Sequence, residues 1–260
     1  MMKTLSETLR PVRQTQGRPV LDSEGRAIAR TRREEFEGRH SSLRLDSGQA
    51  GQAEIGRRKK KAAKILAALK CLFPEAKIFL TYSNPWELFV AVVLSAQCTD
   101  KKVNEVTGQL FKKYKTLDDY VKADVKEFEQ DIRPTGFYRN KAKHILAAAR
   151  VIKEKFGGRL PKTMQQMLTI PGIGRKSANV ILGNAYGVVE GIAVDAHVLR
   201  LARKLGLTDH HDPVKIEKDL MNIIPRKEWF DSTYRLIDYG RKYCPARPHN
   251  HAACPLSKIK

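Results

Sequence analysis

From Arg57 onward, apolar residues recur at helical spacing almost without a break. In RRKKKAAKILAALKCLF, Ala62, Ile65, Leu66, Leu69 and Leu72 fall on one helical face. Asn84-Pro85-Trp86-Glu87 reads as a helix start, with a cap residue, proline at the first helical position and a carboxylate at the third. The following WELFVAVVLSAQ is apolar all round, which predicts a helix central to a core. Thr99-Asp100 caps another helix, with Val103, Val106, Leu110 and Phe111 turned inward. Further helices are predicted over Leu117–Ala123, Val125–Ile132, Asn140–Phe156, Thr163–Leu168, Arg175–Ala185, Ala196–Leu205, Pro213–Ile224 and Trp229–Tyr243. Asp212-Pro213 is a second cap-plus-proline start, and Gly157-Gly158 with Pro161 punctuates a boundary. No segment alternates as a strand does and no long repeat recurs, so the fold class is all-α.

Residues 1–56 break this pattern. They are poor in large apolar residues and rich in Arg, Glu, Ser, Gly and Gln. Such a segment buries too little surface to offset its ordering entropy, which predicts a disordered tail. Its alternative role is extra non-specific contact with DNA.

Charge changes the picture next. The chain carries +21, of which residues 1–56 contribute +2 and residues 57–260 the remaining +19. An excess of that size on the folded part suggests a polyanionic partner, most simply nucleic acid, although basic composition also serves solubility. No apolar run approaches the ~18–20 residues needed to span a membrane. The N-terminus has no apolar signal core. The expectation is a cytoplasmic, nucleoid-associated monomer. Of four cysteines, Cys71 and Cys98 lie in apolar helical patterns and read as buried small hydrophobes, and no disulfide is expected.

The candidate chemistry sits in Leu168–Asp195, LTIPGIGRKSANVILGNAYGVVEGIAVD. Gly172 and Gly174 allow a tight turn that approaches another backbone closely. With helices on both sides, the unit is a helix–hairpin–helix. The second helix starts near Arg175, and its unpaired N–H groups and dipole make an anion site suited to a DNA phosphate. Lys176 lies in that first turn. A surface lysine commonly contacts phosphate, but a neutral amine is also a nucleophile able to form a Schiff base. Asp195 precedes AHVLRLARKLG as an N-cap. An ionised carboxylate held there can stabilise positive charge developing on a sugar and can accept a proton. His197 reads as structural. Each feature alone also has an ordinary reading, as a plain turn, a surface lysine and a plain cap.

Together these residues resemble the endonuclease III branch of the helix–hairpin–helix DNA glycosylases. LTIPGIGRKSANVILGNAYG and IAVDAHVLRLARKLGL carry the resemblance, with NPWELFVAVVLSAQCTDKKVN and GFYRNKAKHI upstream. It covers roughly residues 60–250. It implies two helical domains flanking a DNA-binding cleft. One would be a continuous block over 79–187, and the other a composite of 57–78 and 188–260. It implies excision of oxidised pyrimidines from duplex DNA, followed by β-elimination through a lysine Schiff base. Lys176 matches the nucleophile and Asp195 the carboxylate. Gln97 matches the residue that fills the gap left by the displaced base. Phe137 takes the place of an apolar wedge beside it, with core packing after Gly136 as its alternative. Gly172, Gly174 and Arg175 would grip the DNA backbone. The rival enzyme, a monofunctional glycosylase, lacks the lysine. The rival from another class is a non-catalytic helix–hairpin–helix DNA-binding protein.

The C-terminus departs from the family. The resemblance implies a [4Fe-4S] cluster on four cysteines spaced C-x6-C-x2-C-x5-C. Here Cys244 and Cys254 match the first and third positions, while His251 and Lys260 occupy the second and fourth. Four thiolates are the usual ligand set, so the expectation is that no cluster and no other cofactor is bound. Cys244, His249, His251 and Cys254 form a zinc-type ligand set at unusual spacing, which leaves zinc as the alternative.

Overall fold

A computed structural model describes the backbone of residues 32–259 and the side chains of 51–259. The chain divides into two units, Met1–Ala53 and Glu54–Lys260, and the second carries the apolar core residues. The regular elements among the described residues are helices, with no strand among them.

Eleven α-helices lie among the described residues: α1 (Arg32–Leu72), α2 (Pro85–Leu94), α3 (Asp100–Lys113), α4 (Leu117–Lys122), α5 (Val125–Ile132), α6 (Tyr138–Phe156), α7 (Met164–Met167), α8 (Arg175–Tyr186), α9 (Ala196–Lys204), α10 (Pro213–Ile223) and α11 (Trp229–Lys242). The sequence places the same elements to within two or three residues, except at α1. That helix begins at Arg32, inside the segment expected to be disordered. Residues 1–31 of that segment lie outside the described residues. No helix among the described residues is long and apolar enough to cross a membrane.

The capping chemistry is realised as read. Asn84 accepts from the Glu87 N–H and Glu87 accepts in return from Ser83 N–H, which fixes the start of α2. Thr99 accepts from Lys102 N–H at the start of α3, and Asp212 from Lys215 N–H at the start of α10. Downstream of its start, α2 is buried at every position from Leu88 to Leu94.

Apolar burial forms two cores. The first draws on residues 80–193 and centres on α2, with Phe89, Phe128, Ile145, Ile152, Ile181 and Leu182 among its members. The second joins Ala62, Ile65, Leu66 and Leu69 of α1 to α9, α10 and α11 and to residues out to Leu256. Cys71 is exposed and Cys98 half-buried, against the expectation that both are core residues. Cys71 falls off the α1 stripe that Ile65, Leu66 and Leu69 bury.

Candidate active site

The hairpin is built as the glycine pattern requires. α7 is capped by Thr163, the chain turns through Ile170 and Ile173, both buried, and α8 begins at Arg175. Gly172 has φ +83°, and a Cβ there would lie 2.7 Å from the Cβ of His144 on α6. Both conformation and space demand glycine at this position. Gly174 differs, because its φ is −103° and a Cβ would meet nothing within 4 Å. Gly174 is also the N-cap of α8 and supplies no side-chain cap. The first N–H groups of α8 are therefore left for a ligand or solvent.

Arg175 is anchored rather than free. Its Nε donates to Glu217 Oε2 at 2.6 Å, and Asn179 Nδ2 donates to Glu217 Oε1 at 2.9 Å. Glu217 is 5% exposed, so α8 is tied to α10 by a buried carboxylate. The ion pair holds the Arg175 guanidinium above its usual pKa. The side chain keeps 40% of its surface exposed, so an anion can still reach it.

Lys176 is exposed in the first turn of α8. Asp195 is half-buried at the start of α9, and its Oδ1 accepts from Val198 N–H at 2.8 Å. Nineteen residues separate them in sequence, yet both line one cavity of about 90 Å³. Leu80, Asp100, Tyr234 and Arg241 share its walls. Sequence reasoning did not find Asp100 and Arg241, whose 2.6 Å ion pair ties the start of α3 to α11 beside this cavity. The ammonium and the carboxylate thus come to one concavity from two different helix N-termini.

A second recess, of about 260 Å³, brings together Gln97, Phe137 and Gly172. Gln97 and Phe137 are the two non-glycine residues with positive φ among the described residues, at +53° and +48°. A left-handed backbone is a strained state for such side chains. Phe137 is 64% exposed, which overturns the core-packing alternative. Between the two loops lies Lys141, 4% exposed, whose Nζ donates to Leu94 O and to Thr135 O, both at 2.8 Å. One ammonium thereby braces the end of α2 against the turn that precedes Phe137. Burial pushes its pKa below the usual lysine range. The sequence held a signal for it. Lys141 falls in register with Ile145, Ala148 and Ile152 on the buried stripe of α6, where a lysine must have a buried partner.

His197 is half-buried, its Nδ1 has no partner, and burial lowers its pKa. It does not line the cavity that holds Lys176 and Asp195.

At the C-terminus the structure corrects the expectation of no cofactor. Cys244, His249, His251 and Cys254 present ligand atoms that all lie within 4.8 Å of one another. This is a four-donor group able to hold a metal, where the resemblance implies a cluster. The linear spacing paired Cys244, His251 and Cys254 with Lys260, which lies outside the described residues. The loop after α11 instead brings together the four residues that the sequence offered as a zinc-type ligand set, with His249 among them.

Comparison with known proteins agrees with this architecture. The HhH-GPD superfamily of base excision DNA repair proteins matches residues 90–226. Endonuclease III of Synechocystis sp. is 44% identical over 79% of this chain and 94% of its own length. Endonuclease III of Bacillus subtilis is 46% identical over 72% and 86%. A solved non-covalent endonuclease III–DNA complex superposes with a TM-score of 0.74 at 42% identity, over 77% of this chain and 94% of that one. A trapped endonuclease III–DNA covalent intermediate superposes equally well. The chain belongs to the endonuclease III family, within the helix–hairpin–helix superfamily of base-excision DNA repair proteins.

Proposed function

We propose that this protein is a bifunctional DNA glycosylase and abasic-site lyase of base-excision repair, acting on duplex DNA that carries oxidised pyrimidines. The observation that carries the reading is that Lys176 and Asp195 line the same cavity. Close relatives bear the name endonuclease III, and one at 42% identity is known as a trapped covalent intermediate with DNA. A purely DNA-binding role is not favoured, since the similarity spans nearly the whole length of catalytic relatives.

In this reading the two cores are the two domains flanking the DNA. The open N-terminus of α8, with Gly172, Gly174 and the exposed edge of Arg175, grips a backbone phosphate and sets the register of the duplex. The damaged nucleotide leaves the stack, at a cost of about a few kcal/mol that damage reduces. Gln97 and Phe137, exposed on strained loops, fill the vacated space. Lys176 Nζ attacks C1′ of the sugar as the bond from C1′ to the base breaks and the base leaves with a proton. The Asp195 carboxylate stabilises the positive charge that develops on the sugar ring. The nitrogen lone pair then opens the C1′–O4′ bond, O4′ takes up a proton, and a protonated Schiff base results; loss of a 2′ proton from it expels the 3′ phosphate, and water releases the lysine. A net charge of +19 on residues 57–260 suits the polyanionic partner and a nucleoid-associated enzyme of the cytoplasm.

The test is borohydride reduction during turnover of duplex DNA containing an abasic site. A covalent protein–DNA adduct is expected from the intact protein and its absence from Lys176→Gln. No adduct with the intact protein would overturn the lyase reading. An adduct that persists in Lys176→Gln would overturn the assignment of the nucleophile.

A further inference from the structure

The group formed by Cys244, His249, His251 and Cys254 takes no part in the chemistry assigned to Lys176 and Asp195, and its four donor atoms lie within 4.8 Å of one another. Cys244 is fully buried and Cys254 is 4% exposed. Cys244 Sγ and His251 Nδ1 are 3.6 Å apart. Metal–sulfur bonds of about 2.3 Å and metal–nitrogen bonds of about 2.0–2.1 Å, at tetrahedral angles, set sulfur and nitrogen about 3.6 Å apart. The observed separation matches one edge of such a tetrahedron. The 4.8 Å limit on all the donor atoms is of the same scale.

His249 is prepared for the same task. Its Nδ1 lies 2.9 Å from the Arg247 carbonyl oxygen. A carbonyl only accepts, so Nδ1 carries the proton and Nε2 keeps its lone pair. That Nε2 is buried without any hydrogen-bond partner. A ligating histidine held by a backbone carbonyl through its other nitrogen is the usual arrangement at metal centres. Arg200 reaches Cys244 from α9, with Nη2 on the carbonyl oxygen at 2.6 Å and Nη1 3.7 Å from the sulfur. Two thiolates balance a divalent charge, and a tetrahedral set of two sulfurs and two nitrogens suits zinc.

We infer that Cys244, His249, His251 and Cys254 bind one zinc ion as a closed structural site. All four tetrahedral positions are filled by protein, so no site is left for water or substrate. The ion closes the loop between Cys244 and Cys254 and holds it against α9 through Arg200.

The experiment is elemental analysis of the full-length protein purified without chelator, with acid-labile sulfide and the visible spectrum measured on the same sample. About one zinc per chain, without labile sulfide, is expected. Iron with labile sulfide would overturn the inference, as would protein without stoichiometric metal. Exchange with Co2+ should give the strong visible bands of a tetrahedral thiolate site; the weak spectrum of an octahedral ion would count against it. His249→Ala and Cys254→Ser should lose the zinc and melt at lower temperature. Retention of full zinc by His249→Ala would overturn the four-ligand assignment. If either variant fails to fold, the metal content and Co2+ spectrum of the unaltered protein still decide.

Discussion

Lys141 Nζ donates to the carbonyl oxygen of Thr135 at 2.8 Å, and the same ammonium reaches Leu94 O at 2.8 Å. These two bonds tie together the loops that carry Gln97 and Phe137. Lys141→Met removes the donor and leaves two carbonyls short of partners, at a cost of about 1–3 kcal/mol. The loss is read as a lower urea midpoint. The pH dependence comes from the lowered pKa of this buried group. In the alkaline window below the ordinary lysine pKa, the unfolded chain binds the proton more fully than the folded one. Stability contributed at this site therefore rises with pH across that window. The difference in unfolding free energy between the protein and Lys141→Met should widen as pH rises through the folded pKa. A difference that is flat with pH would exclude a buried titrating amine.

Asp195 both caps α9 and faces the cavity that holds Lys176. Asparagine caps a helix as well as aspartate does but carries no charge. Asp195→Asn should therefore keep its melting temperature and its affinity for DNA while base removal slows by about 10²–10³. Single-turnover release of the damaged base measures this. A variant as fast as the parent would reduce Asp195 to a cap.

The two hairpin glycines should respond differently to alanine. At Gly172 the φ of +83° and the 2.7 Å approach of a Cβ to His144 act together. Gly172→Ala should lose more than about 2 kcal/mol of stability, because the left-handed penalty alone is about 1–2 kcal/mol. Gly174 has an ordinary φ and open space. Gly174→Ala should cost less than about 1 kcal/mol of stability, yet weaken DNA binding about tenfold by crowding a phosphate contact. Denaturation and a binding titration at fixed salt, run on both variants, separate the two effects.

Strain at Gln97 and Phe137 sets function against stability. Glycine adopts their φ values of +53° and +48° without penalty. Gln97→Gly and Phe137→Gly should each raise stability by up to about 1 kcal/mol, since neither side chain is buried. Both should lower the rate of lesion excision while leaving binding to undamaged duplex nearly unchanged. A stability gain without a functional loss would remove these residues from the wedge role.

The helical class, most helix ends and the hairpin were legible in the amino-acid sequence, which also singled out Lys176 and Asp195 as candidates. The reason is local. Caps, prolines, glycines and apolar spacing act within a turn or two of their own position, so Asn84, Thr99, Asp195 and Asp212 could be read directly. What distant residues do to one another came from the packing of the helices. It tied Arg175 to Glu217 on α10, braced two loops with Lys141, and turned Phe137 outward. It also brought the donor atoms of Cys244, His249, His251 and Cys254 within 4.8 Å of one another. A lysine or glutamate on an apolar stripe announces that a buried partner exists, but the partner comes from packing between helices. Likewise, four ligands become a site only when a loop closes in three dimensions, which linear spacing does not specify.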